Sequence, residues 1–330
     1  MRTDGAFRHW ACIYDSDQQF VQTAVPFLAE GLAAGDPVLA VTTPAHLELI
    51  SAALGPRGGE VDYAESAFFG RRPAQRVAAF YRYWKNHVGG RGGNGGGVRI
   101  LAEPVWAGRS AREIAAWTRM ESALNVVLAP ASISMICPYD TRTLDPDIVT
   151  GALHTHPAQI TGSRLSPSAD FTEPAEFARS CDTGPLPEPP DGAAAFPFDG
   201  DLRGLRRFIA GRAAAYGVIG DRADILVLAG SEVGAYLKNS GPGTAAVRTW
   251  EQPGAVVCDF RQPGLSIDDP FLGLRPARLE PSAGDGLWLA NQVCDWLEIR
   301  SGADGSTIQL QVPSRHDQEM AAQPGLRYRG

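Results

Sequence analysis

The residues with the clearest potential for chemistry lie near the C-terminus, in a Gly-x-Gly turn formed by Gly284 and Gly286. An apolar segment that begins at Leu287 follows the turn and is typical of a helix. Two glycines let the backbone approach a nucleotide phosphate closely, and N–H groups at a helix start complement its charge. The turn therefore predicts a phosphate-binding site. A simpler interpretation is a tight turn onto a buried helix with Leu287 in the core.

Four polar or aromatic residues in the first half suggest a ligand pocket. Glu103 and Trp106 follow an apolar run, and Glu121 and Asn125 are four residues apart. A four-residue spacing places two side chains on one face of a helix. Each residue also has a simpler interpretation, since Glu103 could cap the next segment and Trp106 could only pack. The four are retained as candidates for a sensory pocket.

The segment His154-Thr155-His156 raises the question of a metal site. On a strand, the two imidazoles would share one side, but no carboxylate or third histidine is near in sequence. A helix-end role, in which histidine complements the negative C-terminal dipole, is favoured instead. No metal site is predicted.

Short apolar runs alternate with helical patterns in the first 160 residues, which predicts an α/β domain with a mainly parallel sheet. Pro26 should bend or split the first helix, predicted over Asp17–Ala34. The predicted strands are His9–Tyr14, Pro37–Thr42, Val98–Ala102 and Ser132–Cys137, and the other predicted helices are Ala74–His87, Ser110–Leu124 and Asp145–Thr155.

Prolines concentrate between residues 161 and 197, which favours an extended linker over a packed core. Beyond it, helices and strands in the order of an α+β two-layer sandwich are predicted. The expected organisation is a domain over 1–160, a linker over 161–197, a second domain over 198–313 and a tail over 314–330. The predicted helices of the second domain are Leu202–Tyr216, Arg222–Asn239 and Leu287–Trp296. Its predicted strands are Ala245–Trp250, Ala255–Asp259, Glu298–Arg300 and Ser306–Val312.

Composition narrows the function classes. The chain has 330 residues, 30 Lys plus Arg against 37 Asp plus Glu, and a net charge of −7, which disfavours a nucleic-acid footprint. Its five cysteines are scattered and never form a Cys-x-x-Cys pair, so neither a disulfide framework nor a thiolate zinc site is indicated. No apolar run reaches the roughly 18 residues of a membrane span. We expect a cytoplasmic protein with no membrane contact.

The first half resembles the MEDS domain, a sensory module named for methanogen and methylotroph proteins. The segments that carry the resemblance are His9–Asp15, Phe27–Gly35, Glu103–Arg109, Glu121 with Asn125, Cys137–Asp140 and His154–Pro157. The resemblance implies detection of a small molecule or a cellular signal.

The second half resembles a GHKL-type ATPase domain, the superfamily of histidine kinases and anti-sigma-factor kinases. The matching residues are Ser231-Glu232, Asp259, Asp268-Asp269-Pro270, Gly284-x-Gly286-Leu287-Trp288-Leu289, Cys294-Asp295 and Gly305-Ser306-Thr307. In active members a Glu orients or deprotonates a nucleophile, and an Asn four residues later binds Mg²⁺. Here Glu232 holds the first position, but Tyr236 holds the second, and a phenol replaces an amide oxygen poorly as a Mg²⁺ ligand.

The adenine-binding motif of that superfamily is also altered. Asp259 is present to accept the adenine amino hydrogen, but Arg261 stands where a glycine is expected, and Gly264 preserves part of the turn. The resemblance thus implies a degenerate ATP site, altered at Tyr236 and Arg261, with Glu232 as catalytic base if the domain is active. The implied ATP-binding residues are Asp259, Gly264, Gly284, Gly286, Leu287 and Thr307.

Together, the two halves resemble actinobacterial anti-sigma regulatory proteins. The leading hypothesis is a pseudokinase regulator that senses a signal and binds a sigma factor or its antagonist. The alternative is an ATP- and Mg²⁺-dependent serine protein kinase acting on that antagonist. A third interpretation is a ligand-binding module whose second domain only forms a homodimer.

Overall fold

A computed structural model describes residues 7–88, 97–182, 184–241, 244–276 and 284–314. The chain divides into two compact units between Cys181 and Asp182. Of the tail predicted over 314–330, residues 315–330 lie outside the described ranges. In the part of the chain that is described, no helix has the length and apolar character needed to cross a lipid bilayer.

The first unit alternates strands and helices along most of its length. Its strands are β1 (Arg8–Tyr14), β2 (Val38–Thr42), β3 (Asp62–Glu65), β4 (Val98–Ala102), β5 (Ile133–Asp140), β6 (Ala158–Thr161) and β7 (Arg164–Pro167). Its helices are α1 (Asp17–Ala34), α2 (Pro44–Leu54), α3 (Pro73–Val88), α4 (Ala111–Val127), α5 (Pro146–Thr155) and α6 (Pro174–Cys181), with a 3₁₀ turn at Gly55–Glu60.

One seven-stranded sheet organises this unit, in the order β3-β2-β4-β5-β1-β6-β7. The first six strands in that order pair in parallel, and β6 with β7 forms an antiparallel hairpin at one edge. All five residues of β2 are buried, as expected for a parallel strand covered by helices on both faces. The predicted α/β domain with a mainly parallel sheet is confirmed.

Local signals fix the ends of α1. The Ser16 side chain caps the first turn by accepting the backbone N–H of Gln19, and Gly35 ends the helix in a left-handed conformation with φ 74°. The helix runs unbroken from Asp17 to Ala34 through Pro26, so of the two expected effects, a bend or a split, the split does not occur. Phe20 and Phe27 belong to the core beneath the helix, and this burial offsets the hydrogen bond that proline cannot make.

The second unit is an antiparallel sheet with helices. Its strands are β8 (Ala194–Phe198), β9 (Ala245–Gln252), β10 (Ala255–Pro263), β11 (Trp296–Gly302) and β12 (Gly305–Pro313), and its helices are α7 (Leu202–Ala215), α8 (Asp221–Ser240) and α9 (Asp285–Val293). The strand order is β11-β12-β10-β9-β8, with every neighbouring pair antiparallel. Cys258 and Phe260 of β10 share one core with Val233 of α8, so these side chains face the helices. An α+β architecture is confirmed.

The segment 161–197 contains more regular structure than its prolines suggest. It holds β7, α6 and most of β8. The prolines stand where the missing N–H costs little, because Pro174 is the first residue of α6 and Pro197 lies in an edge strand. The division between the two units falls inside this segment.

Candidate functional site

A first group of polar side chains, called here the carboxyl-edge group, lies at the carboxyl edge of the parallel sheet and consists of Tyr14, Thr42, His46 and Glu103. Tyr14 ends β1, Thr42 ends β2 and Glu103 follows β4. The Tyr14 hydroxyl donates to Glu103 Oε1 at 3.2 Å, and the Thr42 hydroxyl donates to Oε2 of the same carboxylate. Crevices outside the carboxyl ends of parallel strands are where open α/β sheets bind ligands.

His46 joins this group from the first turn of α2. Its Nδ1 lies 2.8 Å from Glu103 Oε2, and its ring stacks on Phe20 with centroids 4.1 Å apart. Burial by itself lowers the pKa of His46, but the hydrogen bond to Glu103 and the charge of that carboxylate raise it above the ordinary value overall. The His46–Glu103 pair therefore favours the charged imidazolium.

Arg76 of α3 is a fully buried cation close to the group. Its guanidinium donates to the backbone carbonyls of Ser66 and Phe69, and to the carbonyl of Glu103 at 3.1 Å. Burial lowers the pKa of Arg76 to about 10, so it remains charged at neutral pH. The Trp117 ring lies 5.6 Å from the guanidinium carbon, a cation–π distance.

Trp106 is buried beyond the end of β4, and its indole Nε1 has no hydrogen-bond partner among the described residues. The ring packs near Tyr139, with centroids 6.2 Å apart, and Tyr139 in turn meets the His156 ring edge-on at 5.6 Å. A buried indole N–H usually finds an acceptor. Trp106 thus offers one unused donor beside the second polar group.

That second group, called here the His9 cluster, consists of His9, Glu121, Cys137 and His156. They come from β1, α4, β5 and the residue that caps the C-terminus of α5. All four are buried, and one ligand atom from each lies within 4.8 Å of all the others. The His9 Nε2 is 3.3 Å from both Cys137 Sγ and Glu121 Oε2.

The orientation of the His9 ring is fixed from behind by Asn125. The Asn125 Nδ2 donates to the carbonyls of Ser122 and Thr155, so its Oδ1 is left to face His9 Nδ1 at 3.2 Å. An amide oxygen accepts only, which requires the proton of a neutral His9 ring to sit on Nδ1. The Nε2 lone pair then points at Glu121 and Cys137.

His156 is oriented in the same way. Its Nδ1 lies 2.9 Å from the carbonyl of Ala152, so Nδ1 carries the proton and Nε2 carries the lone pair. That Nε2 is buried and has no hydrogen-bond partner among the described residues, since Glu121 Oε2 is 3.8 Å away. The predicted helix-end role is therefore correct for Nδ1, whereas Nε2 faces the cluster. His154 instead contacts Thr172 Oγ1 at 3.0 Å.

Burial sets the protonation of the cluster. It lowers the pKa of His9 and of His156 to about 3, so both rings are neutral at neutral pH and their contacts with Glu121 are not salt bridges. Burial also raises the pKa of Glu121 and of Cys137, because no cation within the described structure compensates their charges fully. Four ligand atoms with lone pairs thus meet in a buried site.

The structure divides the four predicted pocket residues between the two groups. Glu103 belongs to the carboxyl-edge group, Glu121 and Asn125 meet at His9, and Trp106 reaches the cluster through Tyr139. Sequence reasoning missed His9 and Cys137, which are 128 positions apart in the chain. Local spacing cannot reveal such a pair, although both residues lie in segments that carry the family resemblance.

Residues 8–157 match the MEDS family. Its description reads MEthanogen/methylotroph, DcmR Sensory domain. The match contains every residue of the His9 cluster and of the carboxyl-edge group. No curated protein matches the chain. The MEDS domain indicates a role in sensing or signalling.

Outside the MEDS domain, the predicted nucleotide residues fall into two sets. Glu232 lies on α8, and its carboxylate occupies the place that a Cβ at Gly286 would take. Gly284 caps the N-terminus of α9, and Leu287 is fully buried in the core. Tyr236, one turn after Glu232, packs against the same core. This set lies on the helical side of the sheet.

The other set lies on the opposite face of the sheet. Side chains alternate along a strand, so Asp259 and Arg261 point away from the helices that Cys258 and Phe260 contact. Thr307 of β12 pairs with Arg261, and Gly264 follows β10 with φ 74°. The structure therefore does not bring Asp259 and Glu232 together.

Asp259 is fully buried, and both oxygens of its carboxylate already accept hydrogen bonds from neighbouring side chains. Its Oδ1 accepts from Gln309 Nε2 at 2.8 Å, and its Oδ2 accepts from Arg261 Nε at 3.1 Å. Arg261 also donates to Glu188 at 2.6 Å. Burial raises the pKa of Asp259, an effect that the bonds from Gln309 and Arg261 offset only in part.

Proposed function

We propose that this protein is a cytoplasmic signalling regulator whose MEDS domain detects a small molecule or cellular signal. The observation that carries the proposal is the pair of buried polar groups inside the region that matches a sensory family. Buried charges and unpaired donors are costly to maintain, so their concentration in one domain favours a binding role. Trp106 supplies an unused donor beside them.

We further propose that the second unit derives from a GHKL ATPase and binds a sigma factor or its antagonist without efficient kinase activity. The order of helices and strands and the Gly284-x-Gly286 turn support this origin. Loss of ATP chemistry is supported by the hydrogen bonds that occupy Asp259 and by its position on the sheet face opposite Glu232. Such a domain can still present a protein-binding surface.

The alternative function, an ATP- and Mg²⁺-dependent serine kinase, is favoured by one contact. Glu232 lies directly against Gly286, which keeps a carboxylate beside the glycine turn. A carboxylate in that position can act as a general base on a serine hydroxyl. The kinase would need a phosphate at the turn and Mg²⁺ close to Tyr236.

Calorimetric titration of the full chain with Mg-ATP tests the regulator against the kinase. If the chain is a regulator without kinase activity, we expect no saturable heat of Mg-ATP binding. We also expect no transfer of labelled phosphate to a purified anti-sigma antagonist. Binding of Mg-ATP that Asp259→Asn abolishes, together with phosphate transfer that Glu232→Gln abolishes, would overturn it. Asp304→Asn, at an exposed residue in the turn between β11 and β12, is the matched control.

Partner binding is tested separately. Purified sigma factor and purified antagonist are each mixed with the full chain, and complex formation is measured by light scattering. The regulator predicts a complex with one of them, whereas a chain that self-associates alone and binds neither protein would support the homodimer interpretation. Native mass spectrometry of the full chain distinguishes these outcomes.

A further inference from the structure

We propose that the His9 cluster is a tetrahedral binding site for a divalent transition metal, with Zn²⁺ as the best-matched ion. Its four ligands are His9 Nε2, His156 Nε2, Cys137 Sγ and one oxygen of Glu121. This assignment goes beyond the sensing role and does not depend on the identity of any protein partner. The prediction from sequence was that no metal binds.

The distances between the ligand atoms fit such an ion. Zinc bonds of about 2.0–2.3 Å imply that ligands at neighbouring corners of a tetrahedron lie about 3.3–3.7 Å apart. Glu121 Oε2 lies 3.3 Å from His9 Nε2, 3.8 Å from His156 Nε2 and 3.7 Å from Cys137 Sγ. The His9–Cys137 separation is 3.3 Å. The two remaining separations, from His156 to His9 and from His156 to Cys137, are at most 4.8 Å, so the ligands must draw together to close four bonds around one centre.

The groups behind the ligands support the same conclusion. Metal-binding histidines usually donate their second ring N–H to an oxygen acceptor, namely a carboxylate, a backbone carbonyl or a water, which fixes the ring and its tautomer. His9 is held in this way by Asn125, and His156 by the carbonyl of Ala152. Asn125 is itself fixed by two backbone carbonyls. Both Nε2 lone pairs are therefore directed into the cluster before any ion binds.

One nitrogen of the cluster is free to bind a cation. His156 Nε2 is buried without a hydrogen-bond partner among the described residues, and it faces the carboxylate of Glu121. Two lone pairs that face each other in a buried site are unfavourable unless a proton or a cation lies between them. Arg76, a buried cation of the same domain, directs its guanidinium hydrogen bonds at the carbonyls of Ser66, Phe69 and Glu103 instead.

Charge and ligand softness select the ion. Two neutral imidazoles, one thiolate and one carboxylate carry a charge of about −2 when ligated, which a divalent ion neutralises inside the protein. Sulfur and imidazole ligands in tetrahedral geometry favour Zn²⁺, and oxygen-seeking Mg²⁺ or Ca²⁺ would be a poor match. With four protein ligands and no exposed position, the site is of the closed type rather than the open catalytic type.

Cobalt substitution of the full chain tests the site, because tetrahedral Co²⁺ absorbs visible light and a Co²⁺–thiolate bond adds a near-ultraviolet charge-transfer band. Metal-free protein is titrated with Co²⁺ and then with Zn²⁺. We expect the chain to bind one equivalent of Co²⁺ and to show both the visible bands and the thiolate charge-transfer band. One equivalent of Zn²⁺ should then displace the Co²⁺ completely. A folded wild-type chain that shows no tetrahedral spectrum, or no thiolate band, overturns the proposal.

Variants assign the ligands. Cys137→Ser is expected to remove the thiolate band. Glu121→Gln, which alters a ligand, and Asn125→Ala, which removes the group that orients His9, are each expected to weaken Co²⁺ binding at least about 10-fold. The matched control is Cys12→Ser, since Cys12 is a buried cysteine on the other face of β1 and packs in the core beneath α1. A thiolate band that persists in Cys137→Ser but disappears in Cys12→Ser overturns the assignment. Circular dichroism of each variant verifies folding, and the wild-type spectrum remains decisive if Cys137→Ser does not fold.

Discussion

The Nε2 atom of His9 lies 3.3 Å from the Glu121 carboxylate, in a part of the MEDS domain where both side chains are almost completely buried. Burial keeps the imidazole neutral, so this close approach is not an ion pair. Asn125, one helical turn beyond Glu121, holds the far side of the same ring. One face of α4 thus provides both a ligand atom and the group that orients a second ligand.

Removal of the metal is expected to destabilise the MEDS domain. An ion that binds only the folded state adds about 2.7 kcal/mol when its free concentration is 100 times its dissociation constant. Hydrogen exchange of metal-free and Zn²⁺-loaded protein should show slower exchange in β1 and β5 with metal, and unchanged exchange in β9 and β10. Cys137→Ser should lose this response, and Cys12→Ser should retain it. Equal exchange with and without Zn²⁺ in the wild-type chain would contradict the prediction.

The ionisation of His46 should depend on Glu103. In the folded chain, the pKa of His46 is expected above its ordinary value of 6.5, because the hydrogen bond to Glu103 and the nearby carboxylate charges together outweigh burial, which is the largest single effect. Glu103→Gln leaves burial dominant and should bring the pKa below 6.5. Proton NMR titration of the His46 ring measures both values. Asp17→Asn, which removes a weaker charge effect on His46, should shift the pKa less.

The His46–Glu103 pair should also make the stability of the folded chain depend on pH. Since the folded-state pKa of His46 is raised, its stabilising contribution is complete below the unfolded pKa and disappears as pH rises through the folded pKa. Urea unfolding of wild type and His46→Asn at several pH values should therefore show the largest difference at the acidic end of that window. If the difference in unfolding free energy between the two proteins instead grows with rising pH, folding lowers the pKa of His46 and the prediction is wrong.

Sequence patterns identified most elements of the fold because their signals are local. The helix of Asp17–Ala34 follows from its apolar spacing and terminal Gly35, and the structure gives those same bounds. The last helix was predicted over Leu287–Trp296 but ends at Val293, and Trp296 begins β11. A short apolar run before an amphipathic strand does not specify where the change occurs.

The functional clusters were less accessible to sequence reasoning. The i,i+4 spacing of Glu121 and Asn125 correctly indicated a shared face. Rejection of a metal at His156 rested on the lack of nearby ligands in sequence. Strand pairing instead brings β1 beside β5, and the packing of α4 adds the carboxylate. Such proximity depends on the tertiary fold, which spacing along one segment does not encode.

Gly286→Ala tests the contact between the glycine turn and Glu232. Alanine in a helix is favoured over glycine by about 1 kcal/mol, but the new Cβ would overlap the Glu232 carboxylate. The substitution should therefore stabilise the chain in a Glu232→Ala background and stabilise it less in the wild type, where the carboxylate must turn aside. Chemical denaturation of the wild type, Gly286→Ala, Glu232→Ala and the double variant measures the coupling free energy between the two positions. Gly211→Ala, at a helical position with open space, should stabilise both backgrounds equally.

Asp259→Asn should destabilise the second unit. Its carboxylate accepts from both Gln309 and Arg261, and a carboxamide can present an N–H donor to one of these donors. Loss of a buried, charge-assisted bond typically costs about 1–3 kcal/mol. Urea unfolding followed by hydrogen exchange in β10 measures the loss. An effect no larger than that of the exposed control Asp304→Asn would show that these bonds contribute little.

X-ray absorption at the zinc edge tests most directly whether the MEDS domain contains a four-ligand metal centre. For the Zn²⁺-loaded full chain, the account predicts one sulfur at about 2.3 Å and three nitrogen or oxygen ligands at about 2.0–2.2 Å, two of them with imidazole scattering. A first shell without sulfur, or one of six oxygen atoms, would contradict it.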